Sequence, residues 1–167
     1  MPEQVMTEKD QFIEAWTREY ATSLKLLRAY PNGKDDFRPA EKSRNARELA
    51  WIFMMEEKVV EAISAGELTF MNPPPAPAVP VSEIVSMFEK SHQEVLAKVR
   101  AMPAGRLDQT VQFPVGPKQM ADVRVGQVFW MMLMDSIHHR GQLSVYLRLV
   151  GAKVPSIYGP TADEPWM

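Results

Sequence analysis

The residues best suited to chemistry are three histidines, His92, His138 and His139, with the carboxylates spaced around them. Asp135 and His139 stand four residues apart in Asp135-Ser136-Ile137-His138-His139-Arg140-Gly141-Gln142, so on a helix their side chains leave one face a turn apart. A carboxylate and an imidazole so placed either chelate one divalent cation or hydrogen-bond each other. Val128, Met131, Met132, Gln142 and Tyr146 fall on or near the same stripe. Asp135 is therefore expected to face apolar surroundings, where a lone ionised carboxylate is costly and must be paired. A structural bond from His139 or an arginine would satisfy it, and so would a metal.

Other constellations compete. His92 interrupts an apolar stripe between Phe88 and Leu96 and reads first as a hydrogen-bonded core or boundary histidine. Glu89-x-x-His92 and Asp135-x-x-His138 form two acid-x-x-His motifs, which Glu14 and Glu56 or Glu57 could extend toward a di-iron bundle site. The Asp in the second motif departs from that pattern. The 12 methionines, Met54, Met55, Met131, Met132 and Met134 among them, fill apolar gaps or line a deformable small-molecule pocket. Arg140 and Arg148 read as partners of surface carboxylates or of an acidic ligand.

The elements that must position these groups are helical. Thr7 with Asp10, and Asn45 with Glu48, have the spacing of capping boxes at the starts of two helices. Phe12, Ile13, Trp16, Tyr20, Leu24 and Leu27 make the first helix's apolar stripe, which Pro31-Asn32-Gly33 stops. Leu49, Ile52, Phe53, Val59, Val60 and Ile63 carry the second helix to Gly66. Asn72-Pro73-Pro74-Pro75-Ala76-Pro77 cannot be helical inside and predicts a stiff, extended crossover. Ser82 is the expected cap of a third helix ending before Pro103, and a loop with Pro114, Gly116 and Pro117 has room for a short hairpin. Val123 to Val150 is the longest periodic segment, about 40 Å as a helix, and Gly151 closes it. The expectation is an all-α chain: one domain over residues 1–167, built as a four-helix bundle with a proline-rich crossover between the second and third helices and an irregular C-terminal tail.

With those elements placed, His138-His139-Arg140-Gly141-Gln142-Leu143, then Tyr146-Leu147-Arg148, Gly151, Val154-Pro155 and Tyr158-Gly159, resembles the C-terminal signature of the DinB/YfiT-like superfamily. The segment from Asn45 to Glu57 resembles that family's second helix. The resemblance implies a divalent metal, zinc or nickel, held by three histidines, one on the second helix and an H-x-x-x-H pair on the fourth. Matched residue by residue, the last falls on His139 and the first of the pair on Asp135, which can still ligate. The second-helix histidine falls on Ile52, which cannot. Glu56 stands one turn after Ile52 on the same face, a pitch of about 5.4 Å away, and with His92 is a candidate third ligand.

Two functions follow from that match. One is a degenerate metal site whose cleft, lined by Ile52, Met55, Met131, Met132 and Gln142, binds a small molecule, with no metal or a weakly held one. The other is a divalent-metal-dependent, thiol-dependent transferase or isomerase, or a hydrolase, using Asp135 and His139 as ligands and a low-molecular-weight thiol as co-substrate. The resemblance also implies a homodimer.

Composition narrows the rest. With 19 basic and 21 acidic residues, a net charge of −2 and no long run of either sign, the chain lacks the field that gathers nucleic acid. It has no cysteine, which excludes disulfides and thiolate ligands and fits a reducing cytoplasm. A polar, acidic start and the lack of any long uncharged apolar run predict a cytoplasmic protein without membrane segments.

Overall fold

The computed structural model describes residues 5–67 and 73–167. Four helices carry the fold: α1 Glu8–Arg28, α2 Ala46–Ala65, α3 Val81–Ala101 and α4 Val125–Leu149. Both capping boxes form. The Thr7 hydroxyl accepts from the Asp10 amide at 3.2 Å, and the Asn45 side chain accepts from the Glu48 amide at 2.8 Å while the Glu48 carboxylate accepts from the Asn45 amide at 2.7 Å. Caps of this kind stabilise a helix by about 1 kcal/mol each. Gly66 ends α2 at φ 81°, a left-handed conformation that favours glycine.

The start of α3 differs from expectation. Pro80 stands at the cap position and Ser82 lies inside the helix. A side chain distant in sequence does the capping, because the Val81 amide donates to Asp35 Oδ1 at 2.7 Å. Residues 73–80 contain neither helix nor strand, and Asn72, where the proline-rich run opens, lies outside the described residues. The Trp51 indole donates to the Pro74 carbonyl at 2.9 Å and Arg47 Nε to the Val79 carbonyl at 2.8 Å, which ties this stretch to α2.

The chain is mostly helical, but the all-α expectation needs correcting. Strands β1 Thr110–Gly116 and β2 Gln119–Arg124 pair antiparallel, with Thr110 opposite Arg124 and Phe113 opposite Ala121. Alternation explains the hairpin: Phe113 and Val123 turn inward onto the core while their neighbours face out. The hairpin shortens the last helix, which begins at Val125 instead of Val123. Arg124 grips Glu8 through two hydrogen bonds of 2.7 and 2.9 Å, and Trp130 adds a third at 3.2 Å, locking α1 to the root of α4. Gly126 permits this, since a Cβ there would sit 2.7 Å from Glu8 Oε1. After α4, the irregular tail is held by side-chain caps such as Asp163, which accepts from the Val154 amide at 2.9 Å.

α2 packs on α3 and α4, and α1 packs on the same two, closing a ring. Within it the apolar core divides into two clusters. One gathers Leu24, Leu27, Leu49, Phe53, Ile84, Phe88, Leu143 and Leu147. The other gathers Phe12, Trp16, Val60, Ile63, Val95, Val99, Phe129 and Leu133. Between them every helix contributes buried polar side chains: Glu19, Glu56 and Glu57, Ser91 and His92, and Ser136, His139 and Arg140. The chemistry of the molecule sits in that belt.

Candidate metal centre

Glu56 enters the belt from the middle of α2, three residues after buried Phe53 and four before buried Val60, so helical periodicity commits it to the interior. Asp135 and His139 reach it from α4. One ligand atom from each of Glu56, Asp135 and His139 lies within 4.8 Å of the others, which brings two carboxylates and an imidazole to one point. Asp135 is less enclosed than the sequence predicts: its side chain is 48% exposed and forms one wall of an open cleft. Glu56 is only 3% exposed, and among the described residues neither of its carboxylate oxygens has a partner at hydrogen-bonding geometry, the Ser136 hydroxyl being the nearby donor.

Local bonding sets the histidine's orientation. His139 Nδ1 lies 2.9 Å from Gln142 Oε1, an atom that can only accept, so Nδ1 carries a proton. The other end of the same amide donates to His138 Nε2 at 3.1 Å, which fixes which way Gln142 points. His139 Nε2 is thereby directed at Asp135 Oδ1, 3.4 Å away. A neutral imidazole would set a lone pair against a carboxylate there, so a proton or a cation must stand between them. Burial opposes the charged imidazolium, but hydrogen bonds with Asp135 and Gln142 and the Asp135 charge outweigh it and raise the His139 pKa. The reciprocal bond from His139 holds the Asp135 carboxyl below the ordinary range, against its partial burial.

Glu56 responds in the opposite sense. Burial first, and then the negative charge of Asp135, push its carboxyl well above the usual value. Without a neighbouring cation the protonated form of this group is favoured. A divalent ion among the three side chains would favour the ionised forms of both carboxylates and the Nε2 lone pair of His139. Two oxygens and one imidazole nitrogen form a donor set suited to zinc, nickel and other first-row divalent ions. A histidine ligand whose second nitrogen donates to an amide oxygen is also the usual outer arrangement of such sites. The residues present fit a metal.

The centre opens into a cleft of about 400 Å³ between α2, α4 and the proline-rich stretch. Ile52, Met55 and Met132 line it together with Trp51 and Pro73–Pro75. Met131 lines a separate groove beside Met134 and His138, and Gln142 lines another with Tyr146, so neither belongs to the cleft lining. His92 is engaged elsewhere: its Nδ1 lies 2.8 Å from Glu57 Oε1, and its ring stacks on Tyr20 at 3.5 Å. It is not among the clustered ligands. The di-iron arrangement is not assembled either, because Glu89 pairs with Arg28 and His138 with Gln142.

One pairing with a carboxylate that the sequence suggests lies in the core instead of on the surface. Arg140 is no surface cation but is 1% exposed, donating to Glu19 Oε2 at 2.7 Å and to the Glu19 carbonyl at 3.1 Å. Tyr158 from the tail donates its hydroxyl to the same Glu19 oxygen at 2.6 Å, and the Arg140 guanidinium lies 4.9 Å over the Tyr158 ring. The signal was present, since Glu19 falls three residues after Trp16 on the apolar face of α1. Arg148, by contrast, pairs with Asp163 of the tail at 2.7 Å and is half-exposed.

Comparison with known proteins gives the family and the fold. The family model described as the DinB family matches residues 1–166. An uncharacterised protein of Bacillus subtilis strain 168, YrdA, is 27% identical over 157 residues, covering 93% of this chain and 90% of that protein. Two solved structures share the fold. A DinB-like protein of Bacillus subtilis, YjoA, superposes with a TM-score of 0.70 at 19% identity over 88% of this chain and 97% of its own. A DinB-like protein of Bacillus cereus ATCC 10987 superposes with a TM-score of 0.73 at 20% identity over 88% and 95%.

Proposed function

The chain belongs to the DinB family, and we propose that it holds a divalent metal ion through Glu56, Asp135 and His139 at the floor of a small-molecule cleft. Members of this family generally bind metal. The observation that carries the reading is Glu56, buried to 3% exposure with both oxygens unpartnered and aimed at the other two ligands. A buried carboxylate left without a bond costs several kcal/mol, so a helix that keeps one keeps it for use. On this reading Glu56 takes over the role that Ile52 cannot fill. The ion is zinc or nickel.

Three protein ligands leave a coordination position for a small molecule, and an ion there lowers the pKa of a water or thiol placed on it. The chain's own residues supply the rest. Gln142 fixes the His139 tautomer so that Nε2 faces the centre. Trp51, Met55 and Met132 give the cleft an apolar wall that holds the body of a ligand and thins the water around it. With a low-molecular-weight thiol as co-substrate, this is the machinery of a thiol-dependent transferase or isomerase.

The test is a zinc or nickel titration read by thermal melts. Wild type should gain about 2.7 kcal/mol at a hundredfold excess over Kd. Glu56→Gln, Asp135→Asn and His139→Gln should each lose most of that gain. A wild type that gains nothing leaves a metal-free cleft, which its apolar wall alone would then have to explain.

A further inference from the structure

Arg44 immediately precedes the N-cap of α2, and its backbone is anchored by the Tyr146 hydroxyl, which donates to the Arg44 carbonyl at 2.7 Å. Its side chain lines the cleft and also an adjoining groove of about 680 Å³ that holds Lys42. Two nearby arginines are spoken for: Arg47 pairs with Asp36 at 2.5 Å and Arg38 approaches Glu48 to 3.9 Å. Among the described residues, neither Arg44 nor Lys42 has an acidic partner. The charges on the cleft lining show what this means. On the metal reading a divalent ion would balance Asp135 and Glu56, with His139 neutral. Glu48 is committed to the Asn45 amide at 2.7 Å and to Arg38. Arg44 is then the exposed cation of the lining without an ion-pair partner among the described residues, with apolar Trp51, Met55 and Met132 lining the same cleft.

Resting on the metal reading above, we infer that the cleft takes an amphipathic ligand with an anionic end: a Lewis-basic head for the ion, an apolar middle along Trp51, Met55 and Met132, and a carboxylate or phosphate received by Arg44. The guanidinium's planar fork suits either oxyanion. The Trp51 ring is held for this contact by its bond to Pro74 at 2.9 Å. The neighbouring Lys42 groove gives a longer anionic tail somewhere to go. A neutral ligand of the same length would gain nothing from Arg44, and a cationic one would be repelled by it.

Two measurements test this, on zinc-loaded and on metal-free protein. In the first, calorimetry compares alkyl hydroxamates with ω-carboxyalkyl and ω-phosphoalkyl hydroxamates over a graded series of chain lengths, on wild type and Arg44→Gln. At the chain length that fits, an anionic end should tighten binding about tenfold, or about 1.4 kcal/mol. Arg44→Gln should erase that increment, measured against plain alkyl hydroxamate binding by the same zinc-loaded variant, so that any change in zinc affinity from losing a charge near Asp135 and His139 cancels. An anionic end that adds nothing at any length, or an increment that survives Arg44→Gln, overturns the proposal. Which of the two ends gains more identifies the oxyanion. In the second, hexanoate and hexyl phosphate are titrated into metal-free protein while the Arg44 Nε–H resonance is followed by NMR. A saturable shift, absent with hexylamine, supports the anion subsite even if zinc fails to bind and the metal reading falls. A resonance that does not move for either acid counts against the subsite whatever zinc does.

Discussion

Glu19 and Glu56 occupy the same polar belt, on helices that face each other across the core, and are equally hidden at 4% and 3% exposure. Their fates are opposite. Arg140, Tyr158 and Arg18 all bond to Glu19, and although burial works against ionisation these partners hold its carboxyl below the ordinary value. Glu56 has no partner at hydrogen-bonding geometry among the described residues, and burial with the nearby Asp135 charge drives its carboxyl up against the weaker pull of the Ser136 hydroxyl. A buried charge surrounded by fitted donors is architecture: it joins α1, α4 and the tail at one point. A carboxylate equally hidden from solvent but set deeper among protein atoms, left unmet and facing a ligand pair, is a site. The difference lies in partners and in depth together.

The largest effect is expected at Glu19. Arg140→Met removes its buried cation and leaves only Tyr158 and the exposed Arg18, and denaturant unfolding should show a loss of about 3 kcal/mol, the low end for breaking a buried pair. Glu56→Met should do the reverse in metal-free protein. Removing an unsatisfied buried carboxyl and replacing it with an apolar side chain should stabilise by about 1–3 kcal/mol, measured by the same method, while abolishing metal binding. Stability lost at one carboxylate and gained at the other would mark the first as structural and the second as functional.

The two groups should also bend the pH dependence of stability in opposite directions. Folded Glu56 keeps a proton that the unfolded chain releases near 4.5, so metal-free stability falls as pH rises above that value toward its raised pKa. Glu19 is ionised in the fold below its ordinary value of 4.5, so its contribution is present above 4.5 and fades as pH drops through the lowered pKa. Glu56→Gln should flatten the first slope and leave the second, in melts run across the acid to neutral range. The smallest effect belongs to Ile52→His. Ligand count on Asp135 and His139 alone would make it a large gain in zinc affinity; with Glu56 already supplying a third ligand the gain should be modest, and calorimetric zinc titration of the single variant and of Ile52→His with Glu56→Gln separates the two contributions.

Much of this was legible in the chain. The Thr7 and Asn45 boxes announce two helix starts because capping uses local residues at fixed spacing. The start of α3 was not legible as drawn, because its cap is Asp35, far away in sequence. The hairpin was only half visible, since Phe113 and Val123 show their alternation on either side of a proline-interrupted loop. Spacing placed Asp135 beside His139, but a helical pitch read along one axis underrates Glu56, whose side chain leaves α2 toward α4 instead of back toward Ile52. Arg140 was misread because nothing local to it signals a carboxylate 121 residues earlier in the chain. Local chemistry was written in the sequence; the pairing across helices was decided by packing.

If Glu56 stands unpartnered because it is a ligand, anomalous diffraction from crystals grown with zinc will find it on the metal. One ion is expected about 2.0–2.2 Å from a Glu56 oxygen, an Asp135 oxygen and His139 Nε2. An ion bound by Asp135 and His139 with the Glu56 carboxyl turned away, or no ion at the cleft floor at all, would overturn this assignment.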